Sequence, residues 1–251
     1  MEKVFTTEVP RRAGRVRREC GVRAIVGPTG VGKTAAATGL ASGTGAPVLV
    51  ADRIQCFTDL LVTSGRAADE RVEGVNRVWL GDRTVSEGDY ATEKAVAELL
   101  TRLGSLVEQH RLTVVEGGSI SMLLRFAETM DDLPFPVSVQ VMPIPDRDGY
   151  LARQCARARN MLVRDRSGRS LLTEFVAAWN TPGQRYFTAS VSGLDCVLEW
   201  CAKHSFPPDE VADIDFPEAL LGELSRMMGA RYAEHGFIQE RLFSEVFGRH
   251  V

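Results

Sequence analysis

The stretch GPTGVGKT, Gly27 to Thr34, constrains this chain more than any other feature of its sequence. It matches the phosphate-binding pattern G-x-x-x-x-G-K-[ST], with Lys33 placed to reach a terminal phosphate and the Thr34 hydroxyl placed to hold Mg²⁺. A short apolar stretch, 22–26, precedes the loop, and good helix formers fill 35–41 after it. Because such loops direct backbone N–H groups inward and a helix N-terminus adds partial positive charge, this arrangement predicts a phosphate site.

Short apolar segments alternate with amphipathic ones through the first part of the chain. Those that predict buried strands are 22–26, 47–51, 112–115 and 137–142. Apolar side chains at helical spacing over 92–109 predict a helix between two of them. This alternation predicts an α/β fold, a P-loop NTPase-like parallel sheet flanked by helices, with a C-terminal mainly helical portion. Ligands bind at the carboxyl ends of such strands, where Gly27, Asp52 and Glu116 fall.

The pattern divides the chain into three parts. Residues 1–20 form a flexible basic arm, 21–146 a P-loop α/β core, and 147–251 a helical portion packed on the core that completes the substrate channel. Helical patterns separated by prolines predict individual helices at 148–165, 169–180, 186–203 and 216–245.

Composition disfavours several classes of function. The net charge of −3 gives no overall attraction to nucleic acid. No segment reaches the roughly 18 apolar residues that span a bilayer, and the N-terminus lacks the apolar run of a signal peptide. Five cysteines without a C-x-x-C pair favour reduced thiols, and four scattered histidines give no metal cluster. We therefore expect a cytoplasmic protein.

A phosphate site alone does not say whether the phosphate is transferred or released. Phosphoryl-transfer enzymes with this loop usually place an Asp at the end of an apolar strand to hold Mg²⁺, whereas the strand here ends at Glu116. Asp52 instead ends the second predicted strand, within ADRIQC, and taken alone it serves equally well as a helix cap or a partner of Arg53. A P-loop small-molecule kinase and a nucleotide-binding switch without catalysis therefore both stay open on these residues.

Four motifs in order, GPTGVGKT, ADRIQC, TSGRAA and EGGSIS, resemble those of the adenylate isopentenyltransferases. The resemblance covers about residues 22–180, and Arg53 is a form associated with the branch that acts on free nucleotides. It implies transfer of a dimethylallyl group from dimethylallyl diphosphate to the N6 amino group of AMP, releasing diphosphate, as the first step of cytokinin biosynthesis. It also implies Mg²⁺ as cofactor and these two small molecules as partners, without membrane or nucleic acid.

The resemblance assigns roles to residues of these motifs. Asp52 is expected to accept the N6 proton, with Lys33 and Thr29 as further catalytic residues. Thr34 is the expected metal ligand. The diphosphate is expected to contact Gly27, Gly30, Gly32, Lys33, Thr34 and Arg157. The acceptor nucleotide is expected to contact Asp52, Gln55, Thr63, Ser64, Arg66, Gly117, Gly118 and Ser119.

Other interpretations stand beside these roles. Arg157 falls near one helical face with Arg153 and Arg164, as a solvated stripe would. Residues 192–195, SGLD, replace the Asp-Gly-Tyr-Arg signature of the family, which leaves the prenyl donor open. A tRNA adenosine dimethylallyltransferase is a further alternative, which the compact and net acidic chain disfavours. The sequence does not determine AMP against ADP or ATP, nor the oligomeric state.

Overall fold

A computed structural model of the protein describes residues 21–66, 71–72 and 74–248, so the predicted basic arm at 1–20 lies outside the described residues. Its strands are β1 Gly21–Val26, β2 Val48–Ala51, β3 Arg71–Val72, β4 Val75–Trp79, β5 Leu112–Gly117 and β6 Val137–Val141. They form one sheet in the order β3-β4-β2-β5-β1-β6. Within the described residues all neighbours pair in parallel except β3 and β4 at the edge, which confirms the predicted α/β class.

Helices flank the sheet and then continue alone. They are α1 Lys33–Thr44, α2 Leu61–Ser64, α3 Thr92–Gln109, α4 Ile120–Ala127, α5 Arg147–Leu162, α6 Leu171–Trp179, α7 Arg185–Ser190, α8 Leu194–His204 and α9 Glu218–Phe247. The range of α3 confirms the helix predicted at 92–109. The prediction of a single helix at 186–203 is wrong. The helix is interrupted between α7 and α8, where Gly193 adopts φ of 95°. A side chain there would also collide with the Tyr232 hydroxyl.

The strand order determines where the site forms. The carboxyl ends of β1, β2 and β5 lie side by side, because β5 pairs with both of the other two strands. Strands β2 and β5 are buried on both faces, which explains their unbroken apolar runs. Strand β4 was not predicted, since its sequence VNRVW interrupts apolar residues with Asn76 and Arg77. The loop after β1, Asp52 after β2 and Gly118 after β5 therefore meet where these strands end. We call this end of the sheet its carboxyl edge.

The C-terminal helices pack on the sheet through α9, which contacts α4, α5, α8 and β6. The main hydrophobic core is continuous across both parts, joining Val26 and Leu49 of the sheet to Phe175, Trp200 and Phe243. The division of the chain near 146 stays a prediction. Among the described residues, no helix is both long enough and apolar enough to cross a membrane.

Two glycines of α9 allow it to approach α5 closely. A Cβ at Gly229 would lie 2.6 Å from the Cα and 2.7 Å from the N of Cys155. A Cβ at Gly236 would collide with the Tyr150 hydroxyl, which is bonded to the phosphate-binding loop. The contact between α5 and α9 therefore depends on small residues, and it also sets the position of a side chain that reaches the loop.

We expect Gly229→Ala to destabilise the fold by about 1–3 kcal/mol, because backbone atoms of α5 leave no space for the methyl group. Gly104→Ala in α3 is the matched control, since nothing lies within 4 Å of its added Cβ. That change gains up to about 1 kcal/mol of helix propensity. Urea unfolding of both variants measures the difference. A Gly229→Ala variant as stable as the wild type would contradict the close packing of α5 on α9.

Candidate active site

The loop between β1 and α1 takes a conformation that only glycine accommodates easily. Gly32 adopts φ of 94° directly before α1, in the left-handed region. Gly27 adopts φ of 153°, and a Cβ on it would lie 2.6 Å from the Met142 carbonyl oxygen after β6. These two positions explain why the pattern requires glycine, and they leave the loop backbone open toward the carboxyl edge of the sheet.

Lys33 is the first residue of α1, and its ammonium is partly buried beneath the loop. It donates a hydrogen bond from Nζ to the Pro28 carbonyl oxygen at 2.6 Å. Burial lowers the pKa of Lys33 to about 8, against the opposing attraction of Asp52 and Glu116. The ammonium is therefore held inside the loop with a weakened preference for its proton, a state that a bound anion would reverse.

A buried network connects Thr34 to the edge of the sheet. The Thr34 hydroxyl donates to Glu116 Oε1 at 2.8 Å, and Arg77 on β4 forms an ion pair with the same oxygen at 2.8 Å. Both charged side chains are 4% exposed, so each neutralises the other in a site with little water. The pairing of Glu116 with Thr34 and Arg77 was not predicted, although its position at a strand end pointed to a role in the site.

The donor set around Thr34 fits Mg²⁺. Its oxygen keeps lone pairs free because it is the donor in the bond to Glu116. Glu116 Oε2 is buried and has no hydrogen-bond partner among the described residues. Mg²⁺ prefers such hard oxygens and takes only one or two from the protein, the others coming from water and phosphate. Within the described part of the chain, no group of three or more His, Cys, Asp or Glu side chains forms a larger metal cluster.

Asp52 lies where β2 ends, and the two oxygens of its carboxylate have different surroundings. Oδ1 accepts hydrogen bonds from the backbone N–H groups of Ile54 at 2.9 Å and Gln55 at 3.3 Å, so the predicted capping role is present. Oδ2 makes no hydrogen bond within the described residues. Asp52 also lines two adjoining cavities, which are described below. Burial raises the pKa of Asp52, which makes its carboxylate a stronger base than an exposed one.

Four side chains from the C-terminal helices hold Thr29 of the loop. Its N–H donates to Gln239 Oε1 at 2.9 Å, and its hydroxyl accepts from Arg157 NH1 at 2.9 Å. Its carbonyl oxygen accepts from the Tyr150 hydroxyl at 2.6 Å and from Gln154 Nε2 at 3.1 Å. The loop is thus fixed from outside the sheet by α5 and α9.

Gln239 also connects the loop to the segment after β5. Its Nε2 donates to the Gly118 carbonyl oxygen at 2.6 Å, and only 3% of the residue is exposed. One side chain of α9 therefore spans two loops of the carboxyl edge. Nothing in the sequence singled out Gln239, since it lies in a helix beyond the motifs and has no recognisable pattern around it.

Two adjoining cavities open at this edge, and we name them the loop cavity and the side cavity. The loop cavity has a volume of about 420 Å³, and the predicted residues that line it are Thr29, Gly30, Gly32, Lys33, Thr34, Asp52, Gln55, Ser64, Gly117, Gly118 and Arg157. The side cavity has a volume of about 410 Å³, and the predicted residues that line it are Thr29, Asp52, Thr63, Ser64, Gly118, Ser119 and Arg157. Asp52 and Thr29 line both cavities and therefore belong to their shared wall.

Two predicted acceptor contacts are engaged elsewhere. Thr63 lines the side cavity, but its hydroxyl donates to Glu174 Oε2 at 2.8 Å. Arg66 lines neither cavity, because its guanidinium donates to backbone carbonyls, pairs with Asp82 and lies over the Trp79 ring. Arg66 therefore connects the segments around the site. The structure does not bring it to the position that the resemblance implied.

Arg157 differs from the arginines that share its helical face. Its guanidinium lines both cavities and lies 5.5 Å from the centroid of the Tyr232 ring. Arg153 is exposed and lines neither cavity, whereas Arg164 lies beyond the end of α5 and donates to the Ala212 carbonyl oxygen at 2.6 Å. The solvated-stripe interpretation therefore applies to Arg153, while Arg157 points its charge into the site.

The far wall of the side cavity comes from residues that the motifs did not indicate. Tyr232 and His235 of α9 line it together with Ser190 and Ser192. The Tyr232 hydroxyl is buried and has no partner among the described residues. Burial lowers the pKa of His235, so its imidazole is neutral near pH 7. Of these residues, sequence had indicated only Ser192, as part of the SGLD stretch at 192–195.

Known proteins share this chain's sequence along nearly its whole length. The isopentenyl transferase family model matches residues 20–250. A protein of Rhodococcoides fascians named adenylate dimethylallyltransferase is 53% identical over 248 residues, 99% of this chain and 97% of that protein. One of the same name from Agrobacterium fabrum is 31% identical over 226 residues, 88% of this chain and 90% of that protein. The similarity therefore extends well past residue 180.

Solved structures share the fold. A tRNA delta(2)-isopentenylpyrophosphate transferase from Staphylococcus epidermidis superimposes with a TM-score of 0.63 at 12% identity, covering 88% of this chain and 90% of that one. A eukaryotic dimethylallyltransferase acting on tRNA gives a TM-score of 0.66 at 14% identity, covering 92% and 72%. The chain thus shares its fold with these solved structures, and with the match over residues 20–250 and the 53% identical relative it belongs to the isopentenyl transferase family.

Proposed function

We propose that this protein transfers a dimethylallyl group from dimethylallyl diphosphate to the N6 amino group of AMP and releases diphosphate, as the first step of cytokinin biosynthesis. The observation that carries the proposal is the position of Asp52, a partly buried carboxylate in the wall shared by the phosphate-binding loop cavity and the side cavity. The relatives named adenylate dimethylallyltransferase support the same reaction.

The donor's diphosphate fits the loop cavity. Backbone N–H groups of the loop, the Lys33 ammonium and the Arg157 guanidinium offer positive charge from three directions. Charge grows on the diphosphate as the allylic C–O bond stretches, and fixed donors stabilise it without reorganising. Thr34 and Glu116 are the residues that would hold Mg²⁺, which would supply further positive charge to the leaving group.

The acceptor adenine fits against Asp52 from the side cavity. The N6 nitrogen forms a bond to the allylic carbon while the bond from that carbon to the diphosphate oxygen breaks. The N6 proton passes to Asp52, and Oδ2 is the oxygen that accepts it because Oδ1 already caps the following turn. Ser64 and Ser119 line the side cavity around the nucleotide, and Gln55 lines the loop cavity beside Asp52.

Both substrates are small molecules, and the reaction as proposed requires neither nucleic acid nor a membrane. The two cavities, of about 420 and 410 Å³, offer space for a nucleotide and a prenyl diphosphate, and none of the proposed contacts needs a longer polynucleotide. Cys56, Cys155, Cys196 and Cys201 are free thiols, which favours a reducing compartment such as the cytoplasm.

Asp52→Asn tests the proposed function directly. The amide keeps an oxygen for the cap but accepts no proton, so kcat with AMP falls by about 10²–10⁴-fold while both KM values change little. Mass spectrometry of a reaction with Mg²⁺ measures AMP that is heavier by one five-carbon prenyl unit. Asp146→Asn, at a cap of α5 that lines neither cavity, is the control and keeps wild-type turnover.

Either of two results would contradict this account. Wild-type turnover in Asp52→Asn would exclude Asp52 as the base. A wild-type protein that leaves AMP unmodified in the presence of the donor would overturn the proposed reaction itself.

The pH dependence of donor capture follows from Lys33. Its ammonium is charged below pH about 8 and neutral above, so kcat/KM for the donor falls as the pH rises through about 8. In Lys33→Arg the guanidinium stays charged, and the alkaline fall moves beyond the accessible range even if the overall rate is lower. Initial rates from about pH 6 to about pH 10 measure both profiles. An identical alkaline fall in the two proteins would assign it to another group.

A further inference from the structure

A buried carboxylate that lies outside both cavities binds a short helix at the wall of the site. Glu174 on α6 is 5% exposed and takes part in no ion pair within the described residues. Its Oε1 accepts from the Val62 N–H at 2.8 Å, and its Oε2 accepts from the N–H and the hydroxyl of Thr63, each at 2.8 Å. A buried charge without a cation is tolerated only when several donors satisfy it, as here.

The three donors all belong to one short element. Helix α2 spans only Leu61–Ser64, far below the length at which a helix is stable by itself. The Ser64 N–H donates back to the Leu60 carbonyl oxygen at 2.9 Å, and Glu174 supplies the acceptors for the N–H groups of Val62 and Thr63. The position of α2 therefore depends on a side chain that lies more than a hundred residues further along the chain.

The end of α2 carries the residues that face the substrates. Ser64 lines both cavities, and Gly65 ends the helix with φ of 70°. The Ser64 oxygen accepts from the Arg66 N–H at 3.2 Å, so its own proton remains available to a bound molecule. If α2 shifts, the hydroxyl of Ser64 and the wall at Gly65 shift with it.

We propose that Glu174 is a positioning residue that fixes α2, and through it Ser64, for binding of the acceptor nucleotide. The proposal rests on the function proposed above, because it assigns Ser64 to the acceptor. It predicts unequal effects on the two substrates, since the donor's diphosphate is held mainly by the loop, Lys33 and Arg157, and the hydrogen bonds of Glu174 go only to α2. Loss of the carboxylate therefore weakens AMP binding more than diphosphate binding.

Glu174→Gln is the central variant. The amide offers one accepting oxygen and places an NH₂ group against backbone N–H donors, so at least one of the three bonds is lost. We expect the Kd of AMP, measured by calorimetry on the full chain, to rise about 10-fold. The KM for AMP rises in parallel, and the Kd of inorganic diphosphate rises less than that of AMP, because α2 forms only part of the wall of the loop cavity.

Substitutions of Thr63 provide the matched series. Thr63→Val removes only the hydroxyl bond and gives an intermediate loss of AMP affinity, whereas Thr63→Ser keeps the donor and restores it. Glu93→Gln, at an exposed carboxylate in the first turn of α3, controls for the loss of one charge. Thermal unfolding of each variant shows whether the fold is retained.

Two outcomes would overturn the inference. AMP affinity equal to the wild type in Glu174→Gln would do so, and so would equal losses for AMP and diphosphate, which indicate a general structural defect. Failure of the proposed function is a separate result, because it shows in the wild-type protein as absence of prenylated AMP.

Discussion

The site depends most on the four hydrogen bonds that hold Thr29. Glycines give the phosphate-binding loop its shape, but the same glycines leave its backbone with many accessible conformations. Side chains of α5 and α9 remove that freedom by bonding every polar group of Thr29. The close packing at Gly229 and Gly236 sets how those helices approach. A loop fixed before the substrate arrives stabilises developing charge without reorganisation, which is the main requirement for releasing diphosphate.

The two carboxylates of the site, Glu116 and Asp52, differ in the groups that they contact. Glu116 is neutralised by Arg77 and accepts the Thr34 proton, so it serves the phosphate side. Asp52 has no cation in direct contact, and only one of its oxygens is used by the backbone. Burial then raises the pKa of Asp52, as suits a group that must accept a proton. In the proposed reaction, a loop of the kind that transfers phosphate in kinases is combined with Asp52 as the base that accepts the proton of the acceptor.

Local sequence patterns predicted the parts that depend on neighbouring residues. The loop, the strand ending at Asp52 and α3 follow from spacing and composition within a few positions. Gln239 was missed because its partner Thr29 is 210 positions away, and Glu174 because its partners are 111 and 112 positions away. No local pattern encodes such contacts, since they arise only when helices pack on the sheet.

Arg66 shows the opposite limit of sequence reasoning. Its motif matched, but its guanidinium binds three backbone carbonyls between the turn after Asp52 and the turn after β4. Buried carbonyls need donors, and an arginine beside them satisfies several at once. The unpredicted strand β4 creates that need, so the role of Arg66 was not readable without it.

The central claim is that the C–O bond of dimethylallyl diphosphate breaks. The bridging oxygen leaves with the diphosphate, and the allylic carbon is transferred to N6 of AMP. Dimethylallyl diphosphate labelled with ¹⁸O between carbon and phosphorus tests it, with AMP as acceptor and mass analysis of both products. The account predicts that all of the label is found in released diphosphate and that AMP gains an unlabelled prenyl group. Label retained in a prenyl alcohol, with the diphosphate group transferred to AMP, would show that the P–O bond breaks and would contradict the account.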